Sequence, residues 1–149
     1  MDQTVAGDLI LAARYIKEGK CSLVMIKEGI VTATKTGRGI RPLLELWEEQ
    51  GSFKKFTLGD KVIGKAAALL AINGEAAGVY AHLISEPALS ILSQYQVQVK
   101  YEQITKMIIN RKGTDSCPME KLAITIDRPE EAPAKIKQRL LELNQGQLF

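Results

Sequence analysis

Four short stretches hold most of the side chains that could do chemistry in this chain. Gly59-Asp60-Lys61-Val62-Ile63-Gly64-Lys65-Ala66 sets a carboxylate and two lysines between glycines, and Ser85-Glu86-Pro87 sets a hydroxyl and an acid before a helix-starting proline. Asn110-Arg111 through Cys117-Pro118-Met119-Glu120 adds an amide, a guanidinium, a thiol and a second acid. Gly37-Arg38-Gly39-Ile40-Arg41 offers two guanidinium groups beside a helix start, which is either an anion clamp or a turn whose arginines are hydrated.

The first stretch has the spacing of a phosphate-binding P-loop up to its last residue. That position needs Ser or Thr to hold magnesium, and Ala66 has no oxygen to offer. Val62, Ile63, Ala66, Ala67 and Leu70 also follow a helical rhythm, so the segment reads as the opening of a helix rather than a loop around phosphate. A zinc site with an open catalytic position needs about three ligands converging on the ion. The chain has one histidine, His82, and two cysteines, Cys21 and Cys117, so neither metal nor cofactor is expected.

Cys117 lies just before Pro118 at a helix start, where free backbone N–H groups favour a thiolate, and Arg111 and Lys112 are close in sequence. It is either a nucleophile or a small buried hydrophobe, and only folding could bring His82 to it. Cys21 opens an apolar strand and reads as core. His82, between Ala81 and Leu83, reads as a core or edge residue ahead of a ligand.

These residues need a scaffold, and the composition allows one. At 149 residues, 46% hydrophobic and 25% charged, residues 1–149 read as a single core-forming domain. A net charge of +3 spread along the chain gives no basic stripe for nucleic acid. No run approaches the roughly 20 apolar residues of a membrane span, and Met1-Asp2-Gln3 lacks the basic start of a secretory signal. Two cysteines without a CxxC pair suit a reducing compartment, so the cytoplasm is the expected place.

Apolar periodicity gives the order of elements. Val5, Leu9, Ala12, Ala13 and Ile16 mark a first helix ending at Gly19, and Leu23–Ile26 and Ile30–Ala33 form a hairpin through Glu28-Gly29. Pro42 opens a second helix that Gly51 ends. Thr57-Leu58-Gly59-Asp60 has the form of a capping box, predicting a slim, alanine-rich third helix over Val62–Ile72 that serves as the packing axis. Val79–Ile84 reads as a covered strand, Ala88–Tyr95 as a fourth helix, and Val97–Tyr101 as a strand with one wet face. Ile104, Met107 and Ile108 suggest a short helix, and the last helix starts near Ala132, placing Pro133 in its first turn. The sum is a three-layer α/β domain with a mixed sheet.

Gly39-Ile40-Arg41-Pro42-Leu43-Leu44, Asp60 to Leu70, Ile84-Ser85-Glu86-Pro87-Ala88-Leu89 and the loop from Asn110-Arg111 to Cys117-Pro118-Met119-Glu120 together resemble the cytidine deaminase-like superfamily, in its small uncharacterised bacterial and archaeal branch. The resemblance covers nearly the whole chain and implies a three-layer α-β-α fold. Active deaminases carry His or Cys followed two residues later by Glu at the start of helix three, and Pro-Cys-x-x-Cys at helix four. Here Ala88 and Ile91 stand at the two cysteine positions, and Thr57–Ala71 has no counterpart of the first motif. Without those ligands no zinc-activated water forms, so zinc-dependent deamination is not expected.

In that layout the N-termini of helices three and four meet at one sheet edge, and their free N–H groups would line a pocket. The candidate ligand-binding residues are Arg41, Asp60, Lys61, Lys65, Ser85, Glu86, Asn110, Arg111 and Glu120, with Cys117 the candidate nucleophile. A nucleoside- or nucleotide-like small molecule is the favoured partner. The plainer alternative is that Asp60, Ser85 or Glu86 only cap helices, Glu120 only complements a helix dipole, and the lysines are solvated. A third reading is a scaffold that self-associates through an exposed edge, the second or fourth of these strands.

Overall fold

The first helix lies so close to the sheet that two strand positions have no room for a side chain. In the computed structural model, which describes residues 3–109 and 117–147, helix α1 (Gln3–Lys17) turns Val5, Leu9, Ala12, Ala13 and Ile16 inward. A Cβ on Gly59 would stand 2.9 Å from Ala12 and Val24, and one on Gly78 would stand 2.8 Å from Val5. Both positions therefore need glycine.

The sheet has five strands: β1 (Leu23–Lys27), β2 (Ile30–Lys35), β3 (Thr57–Ile63), β4 (Gly78–Ser85) and β5 (Gln98–Thr105). Their order is β2-β1-β3-β4-β5; β1 is antiparallel to β2 and β3, while β3, β4 and β5 run parallel. The other face carries α2 (Arg41–Gln50), α3 (Lys65–Asn73), α4 (Glu86–Gln94), α5 (Pro118–Ile124) and α6 (Ala132–Gln147). Residues 66–72 of α3 are all buried, so the alanine-rich helix is the packing axis its composition predicts. This is the expected three-layer α/β architecture with a mixed sheet.

A buried carboxylate fastens the hairpin to α1. Glu28 (φ 51°) and Gly29 (φ 79°) are both left-handed, as a two-residue primed turn requires. Their amides donate to Asp8 at 3.0 and 2.8 Å, and Asp8 is only 3% exposed.

Three expectations need correction. Thr57-Leu58-Gly59-Asp60 is no capping box: it is the first half of β3, and α3 begins at Lys65 behind Gly64, which offers no side-chain cap. A central strand buried on both faces shows no alternation, so only its pairing with β1 and β4 reveals it. Ile104 ends in β5 rather than a short helix, and 106–107 form a bend. His82 is exposed near the end of β4, not part of the core. Pro133 does fall in the first turn of α6.

Candidate functional site at the carboxyl ends of the parallel strands

β3 and β4 finish level, with Ile63 beside Ile84, and each turns directly into a helix. β5 ends on the same line, with Thr105 beside Ser85. Open α/β sheets bind ligands beyond this edge, where helix N-termini converge. Ser22, Asp60, Ser85 and Glu120, four of the buried polar residues, gather toward it, Ser22 through its carbonyl, which accepts from Lys61 N at 3.2 Å.

Asp60 is the most perturbed group in this set. Gly59 faces α1, so its strand neighbours Leu58 and Asp60 point to the other side, where the cross-strand partners Leu23 and Ala81 are core. Burial pushes the Asp60 carboxyl up to about 8, against smaller opposing effects from the Lys61 and Val62 N–H groups and the Lys61 charge. At neutral pH the acid is mainly protonated and is a hydrogen-bond donor. It keeps 8% exposure, whereas Ala81 beside it has none.

The two helix tips are already engaged. Glu120, 9% exposed on α5, accepts from Lys65 N at 2.9 Å through Oε1 and from Ile108 N at 3.4 Å through Oε2. A Cβ on Gly64 would collide with the Glu120 carboxylate, which explains the glycine there. At α4 the buried Ser85 Oγ accepts from Ala88 N at 3.2 Å. The open N–H pocket expected from the sequence is thus partly closed by the chain's own oxygens, and Glu120 offsets the positive end of α3. Ser85 is a true helix cap, while Asp60 caps nothing.

The remaining candidates are dispersed. Lys61 and Glu86 are exposed and Lys65 is half-buried. Arg41 donates to Asn144 Oδ1 at 3.2 Å, which ties α2 to α6. Cys117 is half-buried, its N–H donates to Ile108 O at 2.8 Å, and its carbonyl accepts from Glu120 N, so thiol and Glu120 belong to one clamp near the start of α3. Asn110 and Arg111 lie outside the described residues. Burial pushes the Cys21 thiol up, in keeping with a core role. Sequence reasoning missed Asp8 and the Tyr80–Glu102–Lys17 cluster; a lone acid inside the apolar stripe of α1 was the available signal for the first.

These donors do not fit zinc. Ala88 and Ile91 present hydrocarbon at the tip of α4, and among the described residues no three His, Cys, Asp or Glu side chains converge. A groove of about 630 Å3 opens at the opposite sheet end, lined by Ile72, Glu75, Tyr95, Val97 and Glu130 among others. Its titratable residues, Lys54, Glu75, Tyr95 and Glu130, are all exposed.

The profile of the family described as TM1506, domain of unknown function (DUF1893), matches residues 11–140. The chain belongs to this family. It is similar to a crystal structure of a DUF1893 protein from Thermotoga maritima, with 26% identity, 89% of this chain and 90% of that one covered, and a TM-score of 0.81. It also aligns with dCMP deaminase from the cyanophage S-TIM5 in apo form, at 12% identity and a TM-score of 0.42, covering 70% of this chain and 99% of the other. Among curated proteins none matches. No helix among the described residues of this DUF1893 member is long and apolar enough to cross a membrane.

Proposed function

We propose that this domain binds a small, uncharged polar molecule of the nucleoside class at the carboxyl ends of β3 and β4, with protonated Asp60 as a donor at the base of the site. The observation that carries this reading is a carboxyl group held neutral to about pH 8 in β3, in a strand that runs on through Ile63 to the carboxyl edge and the start of α3. Strongly perturbed acids cluster at functional sites, where burial tunes them for donating or accepting a proton. The nucleoside class comes from the resemblance of the sequence to the deaminase-like superfamily. The Glu120 carboxylate at α3 disfavours a phosphate there and argues for a nucleoside over a nucleotide.

The test is a thermal-shift panel of nucleosides, nucleobases and nucleotides at pH 6.5 on the chain and on Asp60→Asn. A nucleoside that raises Tm in the parent and not in the variant supports the reading. No shift with any compound, or equal shifts in both proteins, overturns it. Elemental analysis of the purified protein checks the ligand set, since stoichiometric zinc would contradict it.

A cysteine-dependent activity is the second reading, favoured by Cys117 sharing its clamp with Glu120. Iodoacetamide labelling across pH decides it: a thiol that titrates near the usual value of about 8.5, or reacts only on unfolding, removes the case.

A further inference from the structure

The two edges of the sheet are β2 and β5, and they are built differently. β2 has six residues, and its ladder with β1 shifts register at Met25/Ile26, an irregularity that discourages further pairing. β5 keeps one register with β4, contains no proline, and leaves residues 100–104 exposed. Its outer row of backbone N–H and C=O groups is a template for another strand.

We propose that β5 pairs with β5 of a second copy of this chain, antiparallel about a two-fold axis through Tyr101, joining two sheets into one. This inference is independent of the ligand site. A two-fold axis normal to the sheet lets residues oppose only others of the same parity, since facing side chains leave the sheet on the same side. With the axis at Tyr101, Lys100 opposes Glu102 of the partner subunit, twice by symmetry. Shifting the axis to Lys100 or to Glu102 sets that residue against its own copy, and like charges directly opposite are destabilising. An axis at Gln103 puts Lys100 against Lys106 of the partner subunit. An axis at Ile104 would set Glu102 against Lys106 of the partner subunit, which lies in the bend beyond β5; among axes through residues 100–103 the charges select one register.

The side chains are prepared for it. Glu102 Oε2 takes both the Tyr80 hydroxyl at 3.0 Å and Lys17 Nζ at 2.9 Å, which leaves Oε1 for a further cation. Lys17 also holds the Glu102 carboxyl below its usual range, so it stays charged. Lys100 is exposed and forms no ion pair among the described residues. On the opposite face Tyr101, 40% exposed, meets its own copy across the axis, where paired aromatic rings are favourable.

Sedimentation of the full chain over a concentration series is expected to show a reversible dimer. Lys100→Glu replaces two attractive pairs by two repulsive ones and is expected to weaken it by about tenfold or more. Lys100→Glu combined with Glu102→Lys restores opposite charges and is expected to recover the dimer. Because Glu102→Lys also disturbs Tyr80 and Lys17, a cysteine pair supplies a separate readout. Facing Cα atoms about 4.5–5.5 Å apart suit a disulfide, so Tyr101→Cys cross-links under mild oxidation. Copies of Gln103→Cys lie about 13 Å apart in this register and do not. A monomer at every concentration, a Lys100→Glu variant that dimerises like the parent, or Gln103→Cys cross-linking as readily as Tyr101→Cys overturns the proposal.

Discussion

Asp8 and Asp60 are both buried aspartates on elements that pack together, yet they do opposite things. Asp8, on α1, receives two amides from a turn 20 and 21 residues away, so its carboxylate is consumed in holding that turn. Asp60, on β3, has the amides of its own next two residues to favour its charge, but burial among hydrocarbon outweighs them and leaves it protonated up to about pH 8. A buried acid whose donors come from elsewhere in the fold is a fastener. One that burial leaves neutral fastens nothing, and it sits within β3, in the strand that leads to the carboxyl edge.

The sharpest way to break this contrast is pH. Asp60 has an ordinary value of 3.8 and a folded value of about 8, so the folded state holds an extra proton between them. Stability therefore declines as pH rises from about 4 to about 8, by at most about 1.4 kcal/mol per unit, and levels off above. Asp60→Asn is expected to remove this slope, measured by urea unfolding from pH 5 to pH 9. Parallel pH profiles for the two proteins would show that Asp60 is an ordinary carboxylate.

Asp8→Ala comes next in size, with an expected loss of about 2 kcal/mol, because the amides of the exposed turn residues Glu28 and Gly29 lose the buried acceptor that holds them. Chemical denaturation reads the loss, and hydrogen exchange is expected to rise at Glu28 and Gly29 first. Glu120→Ala follows at about 1 kcal/mol, through the amide of Lys65 left without its acceptor. Gly64→Ala is expected to mimic it by displacing the same carboxylate, and the two losses should not add in the double variant. Smallest is Lys17→Ala, expected to cost under about 1 kcal/mol because the ion pair with Glu102 is half exposed; added salt should shrink it further.

Much of the fold was legible from local signals. The stripe of α1, the Glu28-Gly29 turn, the Pro42 helix start, the Ser85 cap and the position of Pro133 each follow from residues within a few positions of one another. β3 was not legible, because Gly59 and Asp60 inside Thr57–Ile63 contradict strand propensity and the hydroxyl-to-acid spacing imitates a helix cap. Gly59 is there for α1, a partner more than 40 residues earlier in the chain. The site divides the same way: Ser85 bonds within its own helix start, whereas Glu120 reaches Lys65 across 55 residues.

By itself the sequence determined the order of most elements and the α/β class, since both rest on residue type and short-range geometry. Only the tertiary structure decided that Glu120 covers α3, that Arg41 is drawn to α6, and that Asp60 loses its water. Desolvation and long-range pairing belong to the assembled layers, and no stretch of chain contains them until the sheet closes around its central strand.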